Sequence, residues 1–174
     1  ISLLNADVIT NAANNALLGC FQPFHGCIDN VIHSHAGPRL REDCESIMQM
    51  QGHPEETGQA KLTRAYHLPS QYIAHTVGPI VGGGQPSAEQ QAQLAGCYRN
   101  ILDVCEHWGR VRSVAFCCIS TGVFAYPPDD AARVAVRTVA QWRDDHPTSQ
   151  IDTIIFNVYR DDDLEIYRRI FSDY

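Results

Sequence analysis

The sequence predicts an α/β fold, a three-layer α/β/α sandwich, and two observations lead to that prediction. Short apolar segments rich in β-branched residues alternate along the chain with longer segments of helical character. Most of the short segments are almost continuously apolar, which is typical of strands that are buried on both faces. The 174 residues suit one hydrophobic core, so we expect a single domain over residues 1–174.

Four segments have the length and composition of strands, and turn-forming residues bound each of them. They are residues 6–11, 72–77, 111–119 and 152–158. We interpret the stretch 53–79 as mainly structural, with no direct role in function. It contains a turn, a short alternation of apolar and polar residues, and the second of these strands.

Five helices are expected between and after the strands. Their predicted bounds are 28–36, 38–51, 87–108, 129–145 and 161–172. Acidic residues follow a Pro-Pro pair at the start of the fourth helix, and Arg168 and Arg169 lie near the end of the fifth. These charges suit the partial charges of a helix N-terminus and C-terminus respectively.

The composition excludes several classes of function. A formal net charge of -7 argues against binding to long nucleic acid, which needs a basic face. No apolar run approaches the roughly 18 residues of a membrane helix, and no signal peptide is recognisable. Seven cysteines, two of them adjacent at Cys117 and Cys118, fit a reducing cytoplasmic setting better than a disulfide framework. We expect a monomer. We also expect further residues ahead of Ile1, since the chain does not begin with Met.

The segment "ISTGVFAYPPDD" (119–130) follows a predicted strand and precedes a predicted helix. Small residues at such a turn let backbone N–H groups and the helix N-terminus approach a phosphate. The amides of Val123, Phe124 and Ala125 could therefore hold a diphosphate. The alternative is an ordinary turn between a strand and a helix.

Two further segments lie where open sheets bind ligands, directly after predicted strands. In "NAANN" (11–15), Asn11 and Asn14 could shape a pocket, or they could simply cap a structured loop. After the last strand, Tyr159 could stack on a base or could pack on the final helix.

The run "CFQPFHGC" (20–27) brings two thiols and an imidazole together. Cys20, His25 and Cys27 match the kind of zinc site in which three protein ligands leave a fourth position open. The alternative is a pair of buried thiols beside a loop histidine. Asp29 could position a water beside a metal, and it could also cap the next helix. We expect His33, on that helix, to be a structural or surface residue.

Four segments, taken in order, resemble the macrodomain, the α/β/α module that binds ADP-ribose. They are "DVITNAANNALLG", "GCIDNVIHSHAGP", "TGQAKLTRAYHLPSQYIAHTVGP" and "STGVFAYPPDDAARVAV". The resemblance covers nearly the whole chain and implies a mixed central sheet. The insertion "CFQPFHGC" is similar to that of zinc-dependent macrodomains, which act as protein ADP-ribosylhydrolases.

The resemblance also implies roles for individual residues. Asn11 and Asn14 would border the distal ribose, Tyr159 would lie against adenine, and Asn14 and Asp29 would serve catalysis. Zn²⁺ would be held by Cys20, His25 and Cys27. The diphosphate would be wrapped by Ser120, Thr121, Gly122, Val123, Phe124, Ala125 and Tyr126.

The sequence departs from the family pattern at two places. The Asp that reads adenine in this family would immediately precede Ile1, so Ile1 is expected to border the adenine site, and Asp7 should not be mistaken for that residue. Ala125 stands where Gly is frequent, which predicts either a negative φ or local strain.

The resemblance implies a zinc-dependent hydrolase that removes ADP-ribose from acidic side chains of mono-ADP-ribosylated proteins and releases it. One alternative is a reader that binds ADP-ribose without cutting it and uses zinc structurally. The other is a degenerate macrodomain in which zinc serves only the structure.

Overall fold

A computed structural model describes residues 1–22 and 24–173, and within these it contains five strands and five helices. The strands are β1 (Val8–Ala13), β2 (Ala60–Arg64), β3 (Tyr72–Val77), β4 (Ser113–Phe116) and β5 (Thr153–Phe156). The helices are α1 (Ile28–Ala36), α2 (Pro38–Gln51), α3 (Ala88–Trp108), α4 (Pro128–Asp145) and α5 (Asp161–Phe171). None of these helices is both long and apolar enough to cross a bilayer.

The strands form one mixed sheet in the order β2-β3-β1-β4-β5. β3, β1, β4 and β5 run parallel to one another, and β2 pairs antiparallel with β3 at one edge. The predicted α/β fold with a mixed central sheet is therefore confirmed.

Helices cover both faces of the sheet, as expected for three layers. Ile9 and Ile73 point to the face covered by α1 and α2, whose buried side chains include Ile32 and Leu40. Their strand neighbours, such as Val8, point to the opposite face, where α3 and α4 complete the larger apolar cluster. α5 packs on α4 near the edge strand β5.

The five predicted helices agree with the structure to within one residue, but the predicted strands differ more. β4 and β5 each have four residues, fewer than the predicted segments 111–119 and 152–158, although Cys117 and Ile119 beyond the end of β4 are still buried. The alternating segment within 53–79 contains β2, a strand that the sequence did not predict, and two of its five residues are charged. An edge strand pairs on one side only, so it can keep Lys61 and Arg64 in contact with solvent.

Asp7 fastens the amino-terminal ends of three strands. Its Oδ2 accepts from the backbone N–H groups of Arg112 at 2.8 Å and Ser113 at 3.0 Å. Its Oδ1 accepts from the side chain of Gln71 at 2.8 Å. Asp7 therefore lies at the opposite end of the sheet from the loops predicted to bind a ligand, and its role is structural.

Replacing Asp7 tests this role. Asp7→Ala removes the shared acceptor of two backbone amides, so we expect the free energy of unfolding to fall by about 2–3 kcal/mol. Asp7→Asn keeps one acceptor oxygen and should lose about half as much. Urea unfolding of the two variants and the parent protein measures the difference. An unchanged unfolding midpoint for Asp7→Ala would contradict the assignment.

Candidate functional site

The four parallel strands end at the same edge of the sheet, and four loops follow them there. Their described residues are 14–22 with 24–27, 78–87, 117–127 and 157–160. They hold almost every residue that the sequence predicted to bind a ligand or a metal. The parallel sheet thus brings the predicted segments to one edge, where open α/β sheets bind ligands.

Backbone hydrogen bonds join the loops after β3 and β4. The carbonyl of Phe124 accepts from the N–H groups of Val81 at 2.9 Å and Gly82 at 3.2 Å, and the carbonyl of Ala125 accepts from Gly83 at 3.0 Å. Gly78 permits the approach, since a Cβ there would lie 2.0 Å from Ser120 Oγ. We name residues 120–126 the turn loop.

The turn loop offers backbone donors rather than charged side chains. Within the described residues, the N–H groups of Gly122, Val123 and Phe124 donate to no backbone carbonyl. Neither this loop nor the segment 78–87 contains a Lys or Arg. Backbone N–H groups and the N-terminus of α4 would therefore have to meet the charge of any anion bound here.

The ends of the turn loop are anchored in the protein interior. Tyr126 is buried in the core and its N–H donates to the carbonyl of Ser120 at 3.0 Å. Ser120 is buried, with a φ of 66°. Thr121 donates its hydroxyl to the carbonyl of Cys118 at 3.1 Å. The ligand-binding roles predicted for these residues stay predictions. Because the side chain of Tyr126 is buried, only its backbone is placed to contact a ligand at this loop.

Ala125 adopts a left-handed backbone conformation with a φ of 52°. The expectation of a negative φ is therefore wrong, and the alternative of local strain applies. A Cβ in this region costs roughly 1–2 kcal/mol relative to the right-handed region. The strain is maintained by the bonds on either side, including that from the N–H of Ala125 to the carbonyl of Gly122 at 3.0 Å.

The two residues assigned to an adenine site differ in exposure. The side chain of Tyr159 is 98% exposed. The alternative that its ring packs on the final helix is wrong, and the ring is available for stacking. Ile1 is partly buried and packs against the apolar clusters on both faces of the sheet. Its contact with adenine stays a prediction.

Asn14 organises the first loop with both ends of its amide. Its Oδ1 accepts from the N–H of Ala16 at 3.0 Å, and its Nδ2 donates to the carbonyl of Gly19 at 3.1 Å. For Asn14, these bonds agree with the expectation that the asparagine caps a structured loop. The bond to Gly19 uses one of the two hydrogens on Nδ2, and the catalytic role of Asn14 stays a prediction.

Cys20, His25 and Cys27 converge. Their ligand atoms all lie within 4.8 Å of one another, and Cys20 Sγ is 3.3 Å from His25 Nδ1. All three residues are partly buried. Asn30 secures the loop from the first turn of α1, since its Nδ2 donates to the carbonyl of His25 at 3.0 Å. We name these three residues the thiol–imidazole cluster.

Cys27 is also the N-cap of α1, where its Sγ accepts from the N–H of Asn30 at 3.4 Å. Burial raises the pKa of the Cys27 thiol, and the hydrogen bond from Asn30 acts in the opposite direction. A thiol in this setting gives up its proton when a cation takes it as a ligand.

Asp29 and Asn11 are paired behind the cluster. Asn11 lies at the fourth position of β1 and has no exposed surface. Its Nδ2 donates to Asp29 Oδ1 at 2.8 Å. Burial raises the pKa of the Asp29 carboxyl group, while the Asn11 bond and nearby His33 oppose that shift. Any effect of Asn11 on a ligand would in this conformation pass through Asp29.

Two buried histidines lie near Asp29: His33, which was expected to be a structural or surface residue, and His75, which was missed in the sequence. His33 is buried and its Nε2 lies 3.5 Å from Asp29 Oδ1. The spacing of Asp29 and His33 by four residues on a predicted helix was a usable signal. His75 lies in β3 and is fully buried beside Asn11. A histidine within an apolar strand needs a buried partner, which was the other available signal.

Comparison with known proteins identifies relatives over almost the whole chain. A family model described as "Macro domain" matches residues 10–135. The chain is 46% identical over 172 residues to the protein-ADP-ribose hydrolase of Staphylococcus aureus strain MSSA476, which covers 99% of this chain and 64% of that protein. The chain therefore spans just under two thirds of this relative.

Solved structures agree with the fold. The Oceanobacillus iheyensis macrodomain with ADP superposes with a TM-score of 0.87 at 34% identity, covering 99% of this chain and 86% of that one. The Trypanosoma brucei macrodomain in complex with ADP-ribose gives a TM-score of 0.82 at 34% identity, covering 97% and 64% of the two chains.

The strain at Ala125 is testable by substitution. Ala125→Gly relieves the left-handed penalty but adds unfolded-chain entropy, so we expect the free energy of unfolding to rise by about 0.5–1 kcal/mol. The matched control, Ala92→Gly at an exposed position within α3, should lower it by about 1 kcal/mol. Chemical unfolding of both variants and the parent protein measures the free energy of unfolding. A lower value for Ala125→Gly than for the parent protein would refute strain at Ala125.

Proposed function

The chain belongs to the macrodomain family, and on that basis we propose that it is a zinc-dependent hydrolase that removes ADP-ribose from acidic side chains of proteins. The reaction adds water across the bond between C1″ of the distal ribose and a carboxylate oxygen. Its products are free ADP-ribose and the unmodified carboxyl group. The proposal is supported by the position of the thiol–imidazole cluster, which lies two residues from the buried carboxylate of Asp29.

The donor set of the cluster fits zinc. Two thiols and an imidazole are the ligands of catalytic zinc sites that keep one position open. Their atoms already lie within 4.8 Å of one another, so the loop needs little rearrangement to bind an ion. Cys20, His25 and Cys27 would hold the ion, which when bound supplies a Lewis acid.

The turn loop would hold the diphosphate. Its N–H groups at Gly122, Val123 and Phe124 donate to no backbone carbonyl of the described chain, and they would donate to phosphate oxygens instead. Tyr159 would stack on adenine with its exposed ring. When the diphosphate and adenine are held by the turn loop and Tyr159, the distal ribose is held in place beside Asp29. Binding of the nucleotide would therefore orient the bond that is cut.

Asp29 would orient the attacking water. Its Oδ1 already accepts from Asn11 at 2.8 Å, so Oδ2 is the oxygen left to accept a hydrogen bond from that water. Burial excludes bulk solvent from the carboxylate, which strengthens each bond that it makes. Asn14 holds the start of the same loop and so places the cluster relative to Asp29.

A pair of cysteine substitutions tests the role of the metal. We expect the double variant Cys20→Ser/Cys27→Ser to lose its zinc and to release ADP-ribose from a protein modified on acidic residues at least ~100-fold more slowly. Zinc content and released ADP-ribose are measured on the same samples. The control Cys105→Ala removes a buried thiol on α3, away from the cluster, and should keep both. Full turnover without zinc would exclude a catalytic metal.

A conservative change of Asp29 separates hydrolysis from binding. Asp29→Asn should lower turnover at least ~100-fold, because general acid–base groups contribute about 10²–10⁴-fold. We expect its Kd for ADP-ribose to stay within about threefold of the parent value, since the turn loop is unchanged. Asp144→Asn, at an exposed position of α4, is the matched control. A parent protein that binds ADP-ribose but releases none from modified protein would be a reader instead.

A further inference from the structure

His75 lies behind the proposed catalytic pair, one strand away from it. In the parallel register of β1 and β3, His75 is the partner of Asn11. Both side chains point to the face covered by α1 and α2, because they are two residues from Ile73 and Ile9 on their strands. Neither side chain has any exposed surface. Buried polar atoms are usually hydrogen-bonded within the protein, and this holds for Asn11 Nδ2 and both ring nitrogens of His75, whereas Asn11 Oδ1 has no partner among the described residues.

The hydrogen bonds of this group fix the tautomer of the imidazole. Asn11 Nδ2 lies 2.8 Å from Asp29 Oδ1 and 3.1 Å from His75 Nδ1. An amide NH₂ has two hydrogens, and an ionised carboxylate can only accept, so the second hydrogen points to Nδ1. Nδ1 then carries a lone pair and the ring proton is on Nε2. That nitrogen lies 2.8 Å from Thr63 Oγ1, which accepts from it.

The imidazole stays neutral over the working range of an enzyme. Burial lowers the pKa of His75 to about 3, and nearby His33 acts in the same direction. A neutral imidazole keeps one ring lone pair, and the contact with Asn11 places that lone pair on Nδ1. Rotating the Asn11 amide by 180° would place its carbonyl oxygen against both this lone pair and the carboxylate of Asp29. The contact with the carboxylate would be repulsive, so the carboxylate selects the observed orientation of the amide, and His75 Nδ1 accepts the second hydrogen.

We propose that His75 is a positioning residue of the hydrolase site, which holds the Asn11 amide between two acceptors and thereby fixes the carboxylate of Asp29. The proposal rests on the proposed hydrolase function. Thr63 holds the far side of the ring, so the positioning chain runs from β2 through β3 and β1 to α1. Three strands and a helix thus determine where the Asp29 carboxylate lies.

A metal at His75 is the competing interpretation, and the same bonds argue against it. His33, Cys44 and His75 have ligand atoms within 4.8 Å of one another. Cys44 Sγ lies 3.9 Å from His75 Nε2. A cation on Nε2 would displace the proton that Thr63 accepts and move it to Nδ1, which would then face the donor hydrogen of Asn11. The observed geometry instead satisfies both ring nitrogens without an ion.

Two substitutions separate the two ends of the ring. In His75→Asn, the amide oxygen lies as many bonds from Cβ as Nδ1 does, so an acceptor for Asn11 is kept and the Thr63 contact is lost. In His75→Gln, the amide reaches the level of Nε2, so the Thr63 contact is kept and the acceptor is lost. Both changes remove the aromatic ring, which makes each variant the control for the other. Thermal unfolding confirms that both are folded.

The first readout is kinetic, on zinc-loaded protein with a protein substrate mono-ADP-ribosylated on acidic residues. We expect kcat to fall about 10–100-fold in His75→Gln, because small misplacements of a reacting group carry losses of that size. In His75→Asn, kcat should fall much less and stay close to the parent value. KM should change little in either variant. An equal fall of kcat in both variants, or parent-level kcat in His75→Gln, would overturn the proposal.

The second readout does not depend on turnover. In side-chain NMR spectra, both Nδ2 hydrogens of Asn11 should be protected from exchange in the parent protein and in His75→Asn, and one should lose protection in His75→Gln. The imidazole ¹⁵N signals should identify the Nε2–H tautomer of His75 in the parent protein. An Nδ1–H tautomer, or equal protection in all three proteins, would refute the positioning chain. If the parent protein releases no ADP-ribose, the proposed function fails, and these spectra still decide the role of His75.

Discussion

The parallel alignment of β3, β1, β4 and β5 is the constraint on which the site depends. Strands that run in one direction end at one edge, so the four loops that follow them must share that edge whatever their sequences. Burial of β1 and β3 by helices on both faces holds the register. A shift by one residue would turn Asn11 away from α1 and would separate the Asp29 carboxylate from its donor.

The candidate site combines a loop that is anchored in the core with a second loop that carries the thiol–imidazole cluster. The turn loop is anchored at both ends in the core and joined to the neighbouring loop through the carbonyls of Phe124 and Ala125. Such a loop can present N–H groups without reorganising. The thiol–imidazole cluster lies on a longer loop that Asn30 secures from α1. Binding of a cation would supply the cohesion that this loop otherwise draws from a few hydrogen bonds.

Behind the site, polar residues occupy a part of the sheet face that could have been apolar. Asn11, His75 and Thr63 are buried, and their mutual hydrogen bonds offset part of the cost of removing them from water. An apolar set of equal volume would pack at least as well. The proposed positioning of the Asp29 carboxylate therefore explains these buried polar residues better than a contribution to the stability of the fold does.

The sequence by itself determined the fold class, the five helices and most of the strands, because these follow from local periodicity and composition. It also located the thiol–imidazole cluster and the turn loop, whose residues are adjacent in the chain. Only the tertiary structure decided which partners His33 and His75 have, that Asn11 is buried behind Asp29, and that the φ of Ala125 is positive. The physical reason is that hydrogen bonds between separate strands, and strain imposed by neighbouring loops, depend on contacts that no local pattern encodes.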